Sequence, residues 1–180
     1  MLTVTDKSDG MFRYAALLLE ELTSSRAPEM TVQQKLSLIP PGLGGIYIWI
    51  LEHLNESYLM IRKKIFIWLT IAARPVTVAE MSLACITQDG EIGFDPSTKA
   101  ELDGEYFLTV CGPLVEITSA DTLQFTHFSV KEFLLGNGYD HKQKSSQGAN
   151  VTECFILDRA LAHTAILQTC SKFKNFSKHY

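Results

Sequence analysis

The stretch from Leu114 to Leu135, LVEITSADTLQFTHFSVKEFLL, changes its hydrophobic period halfway along. Leu114-Val115-Glu116-Ile117-Thr118 and Thr122-Leu123-Gln124-Phe125-Thr126 alternate across Ser119-Ala120-Asp121, which predicts a small antiparallel hairpin. Phe128 to Leu135 then carries an apolar-periodic helix, ended by Gly136-Asn137-Gly138. A hairpin running straight into a helix is compatible with few architectures, and what precedes it decides among them.

Upstream, the pattern predicts three helices. The first spans about Tyr58 to Ala73 and is stopped by Arg74-Pro75, because the residue before a proline is driven out of helical geometry. Thr77-Val78-Ala79-Glu80 then reads as a capping box opening a helix to about Thr87. Gln88 to Asp95 reads as a loop, and Ser97 to Val110 as the third helix, with Leu102, Tyr106 and Val110 on one face. Gly104 inside it would cost about 1 kcal/mol against alanine, and Cys111-Gly112-Pro113 stops it. Three helices followed by a two-stranded wing give a winged-helix domain over residues 58–138. The fold class expected is mainly α, with a small antiparallel β-hairpin.

Residues 1–57 read as a separate helical segment. Met11, Ala15, Leu18, Leu19 and Leu22 recur at helical spacing within Lys7 to Leu22, with Ser8 or Asp9 as possible caps. A short helix from Thr31 to Leu38 and another from Leu43 to Asn55 follow, the latter weakened by Gly44 and Gly45. Residues 139–180 read as a polar linker, Tyr139 to Asn150, and a trailing helix, Glu153 to Phe173, whose apolar stripe calls for a partner surface.

Composition narrows the functional classes. The 180 residues are 46% hydrophobic, enough for a packed core, and the net charge of -4 offers no general attraction for nucleic acid or an anionic membrane. The amino terminus lacks a signal pattern, and the longest apolar run, Ile65 to Ala73, is about half of the ~20 residues that a spanning helix needs. The four cysteines Cys85, Cys111, Cys154 and Cys170 form no C-x-x-C pair and read as reduced, buried thiols of a cytoplasmic protein. No metal site is expected.

Single residues leave little for catalysis. No serine, cysteine or carboxylate pair stands at a strand end beside a general base, so an enzyme is not expected. His53 and His163 lie on helical patterns without a second ligand at useful spacing. Trp49, Trp68, Phe66 and Tyr47 read as packing residues, and Arg62-Lys63-Lys64 as a solvated helix face. A DNA reader would carry a basic third helix, whereas Ser97 to Val110 sets Lys99 against Glu101, Asp103 and Glu105. His127, at the change from strand to helix, has two readings: a half-buried histidine bonded to its neighbours, or a donor to a phosphate held by a neighbouring domain.

Several ordered motifs resemble one family. They are Asp9-Gly10-Met11-Phe12, Leu38-Ile39-Pro40-Pro41-Gly42-Leu43 with Tyr47, Ile65-Phe66-x-Trp68-Leu69 with Ala72 and Arg74-Pro75-Val76-Thr77, Cys111-Gly112-x-Leu114-Val115-Glu116, and Phe125-x-His127-x-Ser129-Val130-Lys131-Glu132-Phe133-Leu134. Together they resemble the helical lid and winged-helix segment that follows the ATPase core in fungal NACHT proteins, NLR-like STAND NTPases. The winged-helix part is the one also described in the GPI inositol-deacylase winged-helix family.

The resemblance covers most of Lys7 to Leu135 and implies a regulatory role in a nucleotide-dependent switch of non-self recognition or cell death. His127 matches the histidine that touches the bound diphosphate. ADP or ATP is then expected only where a NACHT ATPase core is present. The chain itself has no G-x-x-x-x-G-K-[ST] phosphate loop, and the resemblance makes it one piece of a larger switch or a truncated gene product. Phe155-Ile156-Leu157-Asp158 looks like a magnesium-holding strand end but lies in a helical pattern. The partner implied is the NACHT core, in cis or in trans. The alternative is a stand-alone protein-interaction module, with oligomerisation possible and DNA binding the weakest reading.

Overall fold

The structure is a computed structural model that describes residues 4–8, 11–24, 29–87, 102–136, 158 and 160–167. The chain divides into two compact units, one built on Met1–Leu54 and the other on Asn55–Leu135 with the later segment from Leu157.

The first unit is helical: α1 (Val4–Ser8), α2 (Phe12–Thr23), α3 (Val32–Leu38) and α4 (Gly42–His53). α2 is its centre and packs against the other three. Its inward face carries Tyr14, Leu17, Leu18 and Leu22, which meet the buried Leu36, Ile39, Ile46, Tyr47 and Ile50 of the following segments. Thr31 and Gln34 open α3 with a reciprocal capping box, the Gln34 amide donating to Thr31 Oγ1 and the Thr31 amide to Gln34 Oε1.

Two polar side chains tie the unit together. Tyr14 donates its hydroxyl to the Pro40 carbonyl at 2.8 Å. Lys35, almost fully buried, donates its ammonium to the carbonyls of Ser24 at 2.8 Å and Glu21 at 3.3 Å, satisfying the end of α2. The helix expected over Lys7 to Leu22 is in fact two helices. Ser8 does not cap α2, because it turns its hydroxyl back to the Val4 carbonyl and Met11 is the N-cap residue; Asp9 lies outside the described residues.

The second unit contains a 3-10 turn (Glu56–Tyr58), α5 (Leu59–Ile71), β1 (Val76–Thr77), α6 (Val78–Thr87), α7 (Gly104–Cys111), β2 (Val115–Ile117), β3 (Thr122–Phe125) and α8 (Phe128–Leu134). Backbone at 160–167 is helical. The three strands form one antiparallel sheet in the order β1-β3-β2, with Val76 opposite Leu123 and Val115 opposite Phe125. Helices α5, α6 and α7 with this wing make a winged helix.

The expected hairpin is present. The strand β1 is additional, a two-residue element set by Pro75, which holds the chain extended as it leaves α5. Ile65, Phe66, Met81, Phe107, Val110, Leu114, Leu123, Val130 and Leu134 fill the core.

Three expectations need correction here. The third helix starts at Gly104 rather than Ser97: Leu102 is not helical, and Asp103 caps α7 by accepting from the Tyr106 amide at 2.8 Å. Gly104 is thus a first-turn residue, where its interior helix penalty does not apply. Arg62 is not on a solvated face; it is 1% exposed and donates Nε–H to the Val110 carbonyl at 2.7 Å and Nη2–H to the Asn55 carbonyl at 2.9 Å. Only Lys63 and Lys64 of that trio are partly solvated. The loop Gln88 to Asp95, the linker Tyr139 to Asn150, and most of the trailing helix, including Phe155–Leu157, fall outside the described residues.

Candidate functional site

His127 stands where β3 gives way to α8, and its surroundings are set by short-range chemistry. Thr126 fastens the end of β3: its amide donates to the Leu114 carbonyl at 3.1 Å and its hydroxyl to the Pro113 carbonyl at 3.0 Å. The backbone at His127 is still extended, with φ -158° and ψ 146°, and the next residue begins the helix. α8 is anchored beneath by Ser129, Val130, Phe133 and Leu134, all buried, while Phe128 points outward and is 67% exposed.

His127 is itself the N-cap of α8. Its Nδ1 lies 3.2 Å from the Ser129 amide nitrogen and 2.6 Å from Ser129 Oγ. An amide can only donate, so Nδ1 is an acceptor and the proton of the neutral ring sits on Nε2. Among the described residues Nε2 has no hydrogen-bond partner. The half-buried ring rests against Phe128 with centroids 4.6 Å apart. The arrangement is an imidazole braced on one nitrogen and carrying a donor on the other, suited to an acceptor such as a phosphate oxygen.

The remaining candidates are not brought to it. His53 donates its Nδ1–H to the Trp49 carbonyl at 2.8 Å and stacks on the Trp49 ring, a contact within α4. His163 lies in the helical 160–167 backbone and lines an apolar pocket of about 540 Å³ with Trp68, Ile71, Leu83 and Ile166. The Arg74–Glu80 pair stands at the same pocket, Nη1 and Nη2 reaching the two carboxylate oxygens at 3.0 Å and 2.5 Å. Arg74, with the Thr77 amide, holds the Glu80 carboxyl at about 2, well below its ordinary 4.5.

Cys85 and Cys111 are buried and free; burial pushes the Cys85 thiol up to about 12 and Cys111 further in the same direction. Burial thus disfavours the thiolate form that a nucleophile needs. Among the described residues no three His, Cys, Asp or Glu side chains are grouped to hold a metal ion, and no helix is long and apolar enough to cross a membrane.

Residues 54–145 match the GPI inositol-deacylase, winged helix domain. The chain belongs to this winged-helix family. It is also 27% identical over 144 residues to the vegetative incompatibility protein HET-E-1 of Podospora anserina. That alignment covers 79% of this chain and 10% of HET-E-1, so the winged-helix chain spans about a tenth of the curated relative it matches. No solved structure matches.

Sequence reasoning placed His127 correctly at the strand–helix junction but missed Ser129 as its partner. The signal was available: an N-cap side chain accepts from the amide two or three residues on, so His-x-Ser names its own contact. The burial of Arg62 and Lys35 left no such trace, since a basic residue's periodicity does not say whether carbonyls await it inside.

Proposed function

We propose that this winged-helix chain is a non-catalytic regulatory segment of a NACHT-type signalling NTPase. It packs on the ATPase core and controls that core's nucleotide-dependent switch, in the cytoplasm, in fungal non-self recognition or cell death. Family membership and the relationship to HET-E-1 support the context, and the observation that carries the reading is the unpartnered Nε2–H of His127. In the presence of a core holding ADP, that donor meets a phosphate oxygen and favours the closed arrangement by a contact the open one lacks. The nucleotide belongs to the core, because this chain has no phosphate loop of its own.

A second reading, a stand-alone protein-interaction module, draws on the exposed apolar residues of α2, with Phe12 at 92% and Leu19 at 53%. DNA binding is disfavoured on charge: α7 carries Glu105 and neither lysine nor arginine, and the wing turn ends in Asp121.

Titration of the chain against a purified NACHT ATPase core, by calorimetry with and without ADP, separates the readings. The regulatory reading expects association that strengthens at least several-fold with ADP. Self-association with no ADP-dependent binding to the core favours the interaction module instead.

A further inference from the structure

We infer that Ser129 is a positioning residue for His127: it fixes the ring so that Nδ1 is held as an acceptor and Nε2 as the single free donor. The inference deepens the nucleotide reading and takes its functional meaning from it.

A histidine on a surface junction would ordinarily sample both neutral tautomers and several rotamers, and would offer a donor in a given direction only part of the time. Here two donors from one residue converge on Nδ1, the Ser129 amide at 3.2 Å and the Ser129 hydroxyl at 2.6 Å. The amide forbids a proton on Nδ1. The hydroxyl supplies the shorter contact and thereby sets the ring's rotation.

Ser129 is itself packed into the start of α8. It is 4% exposed, its neighbour Val130 is fully buried, and the Val130 amide closes the first turn on the His127 carbonyl at 3.1 Å. Phe128 covers one side of the ring at 4.6 Å. The imidazole is therefore prearranged before any phosphate arrives, and the ordering of its side chain does not have to be supplied on binding.

The test is long-range proton–nitrogen NMR of the His127 ring in the 180-residue chain without nucleotide. Wild type is expected to show one tautomer, with Nδ1 bare and hydrogen-bonded and Nε2 protonated. A protonated Nδ1 overturns the inference outright. In Ser129→Ala the Nδ1 resonance is expected to move toward that of an unbonded ring nitrogen, and the cross-relaxation between His127 and Phe128 to drop at least two-fold. Ser129→Thr, which keeps the hydroxyl, restores both.

An alanine variant that folds with an unchanged ring spectrum overturns the proposal. Should that variant lose the α8 amide pattern, the wild-type spectrum decides alone. Because no nucleotide is present, the result stands apart from the phosphate contact: a fixed ring with ADP binding indifferent to His127→Ala retains the positioning role and removes the nucleotide reading.

Discussion

At the scale of single residues, the second unit depends on one buried cation. Arg62 has no carboxylate opposite it among its hydrogen-bond partners; it is satisfied by two carbonyls, of Val110 at the end of α7 and of Asn55 ahead of the 3-10 turn. Burial lowers its pKa, yet the guanidinium stays charged at any physiological pH. Truncation leaves both carbonyls unpaired and a void in the core. Arg62→Ala is expected to destabilise the unit by about 3 kcal/mol, measured by urea unfolding. A loss under about 1 kcal/mol would mean that water or a neighbour replaces the guanidinium. His127 is legible in the sequence because its role is local, set by residues one and two positions away. Arg62 is not, because its partners lie seven and 48 positions away and nothing in a basic triplet announces them.

At the scale of elements, start signals written in adjacent residues were readable and close approaches were not. The Thr77/Glu80 box opens α6 as expected, with the Thr77 amide donating to Glu80 Oε2 at 3.0 Å and the Glu80 amide to Thr77 Oγ1 at 3.2 Å. Arg74 adds its fork to the same carboxylate. Since the folded-state pKa of Glu80 is depressed, its stabilisation is present above the ordinary carboxylate value of 4.5 and is lost as the pH falls toward about 2. The wild-type melting temperature should therefore fall more steeply across that window than that of Glu80→Gln, whose amide oxygen still accepts from Thr77. Parallel slopes would show that the Arg74 pair contributes nothing measurable.

α4 shows the converse. Propensity alone treats Gly45 as a weakness, but a Cβ there would stand 2.6 Å from Pro40 Cβ, a rigid ring. Gly45→Ala is thus expected to cost about 2 kcal/mol where propensity predicts a gain. Chemical denaturation reads the sign directly. The missed strand β1 belongs to the same class: two residues are too few for a period, and their pairing with β3 lies some 45 positions along the chain, between Val76–Thr77 and Leu123–Thr122.

At the scale of the whole molecule, the winged helix is a scaffold that brings one histidine to the end of β3 and leaves the usual DNA-reading helix acidic. Fold class was legible because helix, helix, helix and wing follow one another with their stop signals in the intervening residues. The proposed function gives the histidine its meaning, as a contact toward a nucleotide held by an ATPase core.

The central claim is that this contact holds a nucleotide. The direct measurement is the dissociation rate of ADP from a NACHT ATPase core joined to this chain, compared between wild type and His127→Ala. Loss of one charge-assisted hydrogen bond predicts release faster by about ten-fold or more. Equal rates, with both proteins folded and the chain bound to the core, would contradict the account.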